Sequence, residues 1–192
     1  SLVLMVAYVG SRGVHLARFI DNTAYPSQIL SDGRPFFGTG TAPPRRNPNF
    51  GEVRFKTTDA NSFYNSLQVG ATKKYSRGFQ FQASYTYAKS IDEASQQFGT
   101  GDFNNTGGAF SSDPDNRKRD RGLSAFDVRQ NLTMNYNYQL PFGPGKSVGG
   151  GMTGFAGKIV EGWELGGIGS LSSGFPLNVS LNFNRTNNNS QR

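Results

Sequence analysis

Cysteine is missing from the 192-residue chain, and histidine occurs once, at His15. The first absence excludes disulfides, thiolate metal sites and cysteine nucleophiles. His15 has no second metal ligand at a suitable spacing, and acidic pairs such as Asp92 with Glu93 match neither a calcium loop nor a glycosidase pair. The sequence therefore predicts no catalytic residue, no metal and no cofactor. A hydrolase built from loop carboxylates is the least favoured function.

Long hydrophobic runs are also missing. The longest, residues 2–9, is far shorter than the roughly 20 apolar residues that a transmembrane helix requires, and the mean hydropathy is −0.53. A helical membrane protein is therefore excluded. A membrane β-barrel is not, because each of its strands shows only alternating hydrophobicity over about 10 residues. No signal peptide is recognisable, and we expect the chain to be a fragment of a longer protein.

Glycine and aromatic residues are abundant instead, with 25 Gly, 16 Phe and 8 Tyr. This composition is typical of aromatic-rich strands joined by glycine-rich loops, and it favours an all-β fold. The formal charge is +7, but the basic residues form no stripe with interleaved aromatics and no recognisable binding motif. We therefore expect no nucleic-acid partner.

Side chains alternate in polarity along several segments. Residues 79–90 carry mostly aromatic side chains at odd positions and mostly Gln, Ser and Thr at even positions, as in a strand with one apolar and one polar face. Residues 67–75 also alternate, and the short link 76–78 predicts a hairpin. Alternation over 125–140 lasts longer than a sandwich strand of about 5 or 6 residues, which favours a tilted membrane-spanning strand. Further strands are predicted at residues 2–9, 51–57, 162–173 and 175–183.

The lengths of the connections predict an orientation, because outer-membrane barrels have short periplasmic turns and long extracellular loops. The link 76–78 and the Pro/Gly-rich connection 141–161 are then periplasmic, and residues 21–61 and 91–124 form the extracellular loops. Aromatic side chains on the apolar faces fall at the two ends of the strands, as expected for membrane interfaces. The predicted interface residues are Tyr75, Phe79, Tyr138 and Trp163 on the periplasmic side and Tyr85, Tyr87 and Phe126 on the outer side.

Seven short motifs, in order along nearly the whole chain, carry a resemblance to a known family. They are AYVGSRG (7–13), YNSLQV (64–69), SYTYAKSID (84–92), FDVRQ (126–130), LPFG (140–143), GWEL (162–165) and SGFP (173–176). The chain resembles the β-barrel of Oar-like TonB-dependent receptors of Gram-negative bacteria, especially those of Acidobacteria. Gln130 departs from the family pattern, which usually has His there.

The resemblance implies a barrel of about twenty-two strands, an N-terminal plug, a TonB-contacting segment and often a carboxypeptidase-regulatory-like domain. We expect residues 1–192 to be a partial wall of antiparallel transmembrane strands with long extracellular loops. The plug, the TonB-contacting segment and the signal peptide are then expected to lie outside this chain.

Two charged groups are candidate sites. Arg117, Lys118, Arg119 and Arg121 lie in the predicted outer loop 91–124, where they suit the phosphates of lipopolysaccharide or an anionic ligand; the favoured alternative is a solvated loop with internal ion pairs. On the predicted strand 125–140, Asp127 and Arg129 point to the same, lumen-facing side. They suit contact with plug or cargo, although an ion pair that braces the wall is favoured.

The sequence thus predicts part of a TonB-dependent receptor in the bacterial outer membrane, with loops that capture a nutrient and a polar face that guides it. The expected partners are outer-membrane lipid and lipopolysaccharide, the rest of the barrel and its plug, TonB through the N-terminal region, and a small or oligomeric nutrient. The alternative is a surface binding or adhesion module on a smaller barrel or a soluble β-sandwich. No motif identifies the ligand, because ligand choice resides in loop shape.

Overall fold

A computed structural model describes residues 1–38, 44–51, 53–95, 111 and 113–177. Nearly all of the regular structure in these residues is β-strand. The strands are β1 (Leu2–Asp21), β2 (Gln28–Ile29), β3 (Pro35–Phe36), β4 (Arg54–Ser76), β5 (Phe79–Asp92), β6 (Gly122–Leu123), β7 (Gln130–Gln139) and β8 (Glu164–Ser172). A 3-10 turn at Arg117–Asp120 and the seven-residue helix α1 (Gly154–Val160) complete the elements. No helix in the described ranges is long and apolar enough to span a membrane.

Six strands form one sheet in the order β1-β4-β5-β7-β8, with β6 paired to the end of β5. The pairs β5 with β7, β7 with β8 and β5 with β6 are antiparallel. A separate antiparallel pair joins β2 to β3. The all-β antiparallel prediction is therefore confirmed.

The hairpin between β4 and β5 follows from two residues. Arg77 and Gly78 both have positive φ angles, 54° and 75°. Two consecutive residues with positive φ make a tight two-residue turn, and the twist of this turn matches that of the flanking strands. The predicted hairpin at residues 76–78 is therefore present.

Two strands are longer than the alternation predicted. β1 was predicted at residues 2–9 but continues to Asp21, so His15 lies within the strand, with φ 56°. β4 begins at Arg54 and includes most of the short strand predicted at 51–57, so the predicted loop 21–61 is wrong over its last residues. Polar residues occupy both faces of β4 in this part, and hydrophobic alternation is therefore a weak signal there.

Two other predicted segments are partly wrong. The strand predicted at 125–140 begins at Gln130; the preceding residues form a turn in which the backbone N–H of Asp127 donates to Ser124 O at 2.9 Å. The predicted loop 91–124 contains the end of β5, the 3-10 turn and β6. The strand at 162–173 is confirmed as β8, whereas residues 175–177 are not in a strand and the rest of the predicted 175–183 strand lies outside the described residues.

The described residues belong to two compact units. The first contains residues 1–9, 65–88 and 128–174, and thus most of β5, all of β7 and β8, and α1. The second contains the described residues of 10–64, 89–127 and 175–177, including β2, β3 and β6. Its buried hydrophobic side chains are few: Ile20, Phe37 and Ala60.

Candidate functional site

The first unit has one apolar and one polar face. On the apolar face the register pairs Phe79 with Tyr138, Phe81 with Tyr136, Ala83 with Met134 and Tyr85 with Leu132. On the polar face it pairs Gln80 with Asn137, Gln82 with Asn135, Ser84 with Thr133 and Thr86 with Asn131. Because side chains alternate across a strand, the pairing of β5 with β7 extends each face over both strands. The polar face carries uncharged hydrogen-bonding groups, as a hydrated surface requires.

β8 continues both faces. Leu165 and Leu171 pair with Tyr138 and Leu132 on the apolar side, and Ser170 pairs with Thr133 on the polar side. Ile168, opposite Asn135, is an apolar residue on the polar face. Leu165 and Leu171 are 51% and 62% exposed, so the apolar face of this sheet is not covered as it would be in a soluble β-sandwich.

Aromatic side chains gather at the end of the sheet that contains the Arg77-Gly78 turn. The rings of Phe79 and Tyr138 meet edge to face with centroids 5.9 Å apart. The Tyr75 hydroxyl donates to Gln139 Oε1 at 2.9 Å, and Trp163 Nε1 donates to Ile159 O in α1 at 2.8 Å. Tyr75 and Trp163 are more than half exposed. The rings of Tyr75 and Trp163 thus each combine an exposed apolar body with a satisfied polar group, which suits a membrane–water interface.

The aromatics at the opposite end differ in their setting. Tyr85 and Tyr87 lie on β5, where Tyr85 pairs with Leu132 and Tyr87 with Gln130. Phe126, which was predicted at the end of a strand, lies instead in the turn before β7 and is 60% exposed.

The second unit contains a buried charged cluster that sequence reasoning missed. Arg18 on β1 is 4% exposed. Its guanidinium donates to both carboxylate oxygens of Asp59, at 2.8 and 3.0 Å, and to Ser111 Oγ at 2.7 Å. Ser111 Oγ in turn donates to Asp120 Oδ2 at 2.5 Å. The cluster therefore links two strands to the segment that follows the undescribed residues 96–110.

Hydrogen bonds from Arg18 lower the pKa of the Asp59 carboxyl, against a smaller opposing effect of burial. A carboxylate that accepts two bonds from one guanidinium is stabilised in its charged form. Asp59 is thus held ionised in the folded state.

Three of the four predicted cluster residues make internal contacts. Arg117 forms an ion pair with buried Glu93 at 3.3 Å and donates to Asp59 O at 2.8 Å. Arg119 forms an ion pair with Asp113 at 2.9 Å and donates to Gly33 O. The guanidinium of Arg121 lies over the Phe63 ring, 5.0 Å from its centroid. The side chain of the fourth residue, Lys118, is exposed.

The Asp127–Arg129 pair does not lie on a strand, because β7 begins at Gln130. Asp127 is 5% exposed, and its Oδ1 accepts the backbone N–H of Ser90 at 2.6 Å. Ser90 Oγ also contacts Ser124 Oγ at 2.8 Å. Asp127 thus anchors the turn 124–127 to β5, which is a structural role. That both side chains face a lumen stays a prediction.

A family model described as an outer membrane beta barrel domain matches residues 1–192. The chain belongs to this family of outer-membrane β-barrel domains. No curated protein and no solved structure matches it.

Membership in the outer-membrane barrel family accounts for the geometry of the first unit. A barrel strand in the bacterial outer membrane presents alternate residues to lipid and to the interior. In a barrel of this family the apolar face of β5, β7 and β8 suits contact with lipid, and the Gln, Asn, Ser and Thr face suits the interior. The predicted outer-membrane localisation is confirmed.

The charged cluster of this outer-membrane barrel domain gave a poor sequence signal. Arg18, Asp59 and Glu93 are far apart along the chain, and each is an ordinary polar residue within its own segment. The pairing of β1 with β4 brings Arg18 to Asp59. Sequence alternation did not predict a strand in that part of β4. The described residues contain no group of three or more His, Asp or Glu side chains that could hold a metal ion.

Proposed function

We propose that this domain is part of the wall of a TonB-dependent outer-membrane receptor that takes up a nutrient. The observation that supports the proposal is the open sheet. Five long strands pair in the order β1-β4-β5-β7-β8, and among the described residues β1 and β8 each have a neighbour on one side only. In lipid an open edge leaves backbone donors and acceptors unsatisfied, at a cost of several kcal/mol per group. Further strands must therefore complete the barrel.

The interior of a barrel of about twenty-two strands is wide enough to hold a plug, and the polar face of the first unit suits contact with one. Uncharged amide and hydroxyl groups, such as Gln82 and Asn135, can contact either a plug or a passing hydrophilic solute. In this proposal the outer segments capture the ligand, the inner face guides it, and a plug in the intact protein couples transport to TonB. Outer-membrane lipid contacts the opposite face.

The test uses the intact parent protein. Purified protein is reconstituted in planar bilayers for conductance, and its binding to the soluble periplasmic part of TonB is measured by calorimetry. We expect TonB binding and little steady conductance, because a plug closes the barrel. A stable open pore without TonB binding would instead identify a passive channel, and a protein with neither property would favour an adhesion module.

A further inference from the structure

Two arginines from distant parts of the chain converge on one aromatic ring. Arg12 on β1 lies 5.1 Å from the centroid of Phe63 on β4, and Arg121, just before β6, lies 5.0 Å from the same centroid. The two guanidinium carbons are therefore no more than about 10 Å apart. Both arginine side chains are exposed, and all three residues belong to the second unit.

Neither arginine has an acidic partner among the described residues. Arg117 and Arg119 of the neighbouring turn do, with Glu93 and Asp113. Arg12 and Arg121 each lie over the Phe63 ring, which holds guanidinium groups but does not neutralise them. Two exposed positive charges beside one apolar ring attract anions. A phosphate group has the charge and the oxygen geometry to accept charge-assisted hydrogen bonds from a guanidinium group.

The surroundings of the pair identify the source of that phosphate as lipid. Alternation along β1 puts Arg12 on the same face as Leu4, Val6 and Tyr8, which are 67%, 70% and 70% exposed. On β5, exposed Lys89 follows Tyr85 and Tyr87 on the apolar face. On both strands a cation thus follows an apolar, lipid-facing stretch at its outer end. This is the depth at which phosphates of the outer leaflet lie and at which long basic side chains reach head groups.

We propose that Arg12 and Arg121, held against Phe63, bind phosphate groups of the lipid A part of lipopolysaccharide. Of the predicted cluster, this proposal keeps Arg121 but not Arg117 and Arg119, whose charges are already paired. It adds Arg12, which lies outside that cluster. It rests on the outer-membrane location and on the predicted extracellular side of the loops, and it holds whether or not the protein is a TonB-dependent receptor.

The test compares lipid A binding by the intact parent protein and by the double variant Arg12→Gln/Arg121→Gln. Native mass spectrometry of detergent-solubilised protein, titrated with bisphosphorylated lipid A, gives the affinity. We expect binding to weaken at least about tenfold, because two charge-assisted contacts are lost. The charge-matched control is Lys146→Gln/Lys158→Gln, which removes two exposed cations of the predicted periplasmic connection 141–161 and should bind like the wild type. Equal affinity of the Arg12→Gln/Arg121→Gln protein and the wild type would overturn the proposal.

Two further measurements keep the proposal testable if the double variant does not fold. Fully dephosphorylated lipid A should bind the wild-type protein at least about tenfold more weakly than the bisphosphorylated form; equal binding would refute a phosphate site. Inorganic phosphate at millimolar concentration should fail to displace lipid A. Displacement at the same phosphate concentration would show that the site takes a soluble anion and would refute the lipid assignment.

Discussion

An arginine at Ala83 should destabilise the barrel because Ala83 lies at the centre of the lipid-facing side of β5. From Phe79 to Tyr87 the strand advances eight residues, about 27 Å along its length, or about 19 Å across a membrane at a tilt of about 45°. Ala83 lies midway, about 10 Å in depth from Phe79 and from Tyr87, and thus near the centre of an apolar band about 25 Å tall. A charge at this depth costs roughly 2 to 4 kcal/mol, which is about 30- to 1,000-fold in the folding equilibrium.

Ser84→Arg is the matched control, because Ser84 has nearly the same depth but lies on the polar face opposite Thr133. It should cost far less than Ala83→Arg. Along the lipid-facing side, the penalty should fall to about 0 to 1 kcal/mol for Tyr87→Arg. Folding of the intact parent protein into lipid vesicles, titrated with denaturant, gives each value. Equal penalties at Ala83 and Ser84, or a penalty independent of depth, would refute the reasoning.

Three other predictions concern separate parts of the molecule. Asp127→Ala should destabilise the second unit by about 1 to 3 kcal/mol, because it leaves the buried N–H of Ser90 without its acceptor; unchanged hydrogen exchange at Ser90 would contradict this. The lowered pKa of Asp59 stabilises the folded state above the ordinary carboxyl pKa, and this stabilisation should be lost as pH falls through the lowered pKa. Protease cleavage of the second unit should therefore rise in acid for the wild type and much less steeply for Asp59→Asn; parallel profiles would contradict the assignment. Trp163, the single tryptophan, should be quenched most strongly by lipids brominated near the head group, and strongest quenching by chain-end bromines would place it too deep for an interface residue.

Strand identity was predictable wherever a strand has one lipid-facing and one polar face. β5 and β8 match their predicted segments closely, because alternating burial leaves an alternating sequence. Residues 58–66 of β4 and the second half of β1 were not predicted to be strand. Polar side chains in these segments pair with one another, as Arg18 does with Asp59, so polar residues occupy both faces and the alternation of apolar and polar residues is lost.

The candidate site was predicted less well than the fold. A cluster of basic residues at 117–121 was visible in the sequence, but its charge partners were not, because Glu93 and Asp113 are brought to it by folding of the outer segments. The predicted start of β7, five residues too early, is wrong for a similar reason. Asp127 continues the alternation of the strand in sequence, but its carboxylate binds the backbone of Ser90 and holds the chain in a turn.

The measurement that tests the central claim most directly is the accessibility of the two faces of β5 in the membrane. The chain has no cysteine, so single cysteines can be introduced one at a time at residues 80–87 of the intact parent protein, provided that any cysteines elsewhere in it are first replaced. A water-soluble maleimide should label the variants at Gln82, Ser84 and Thr86, which face the hydrated interior, and should leave those at Phe81, Ala83 and Tyr85 unlabelled. Uniform labelling, or labelling of the odd positions alone, would contradict the assignment of this sheet as a barrel wall.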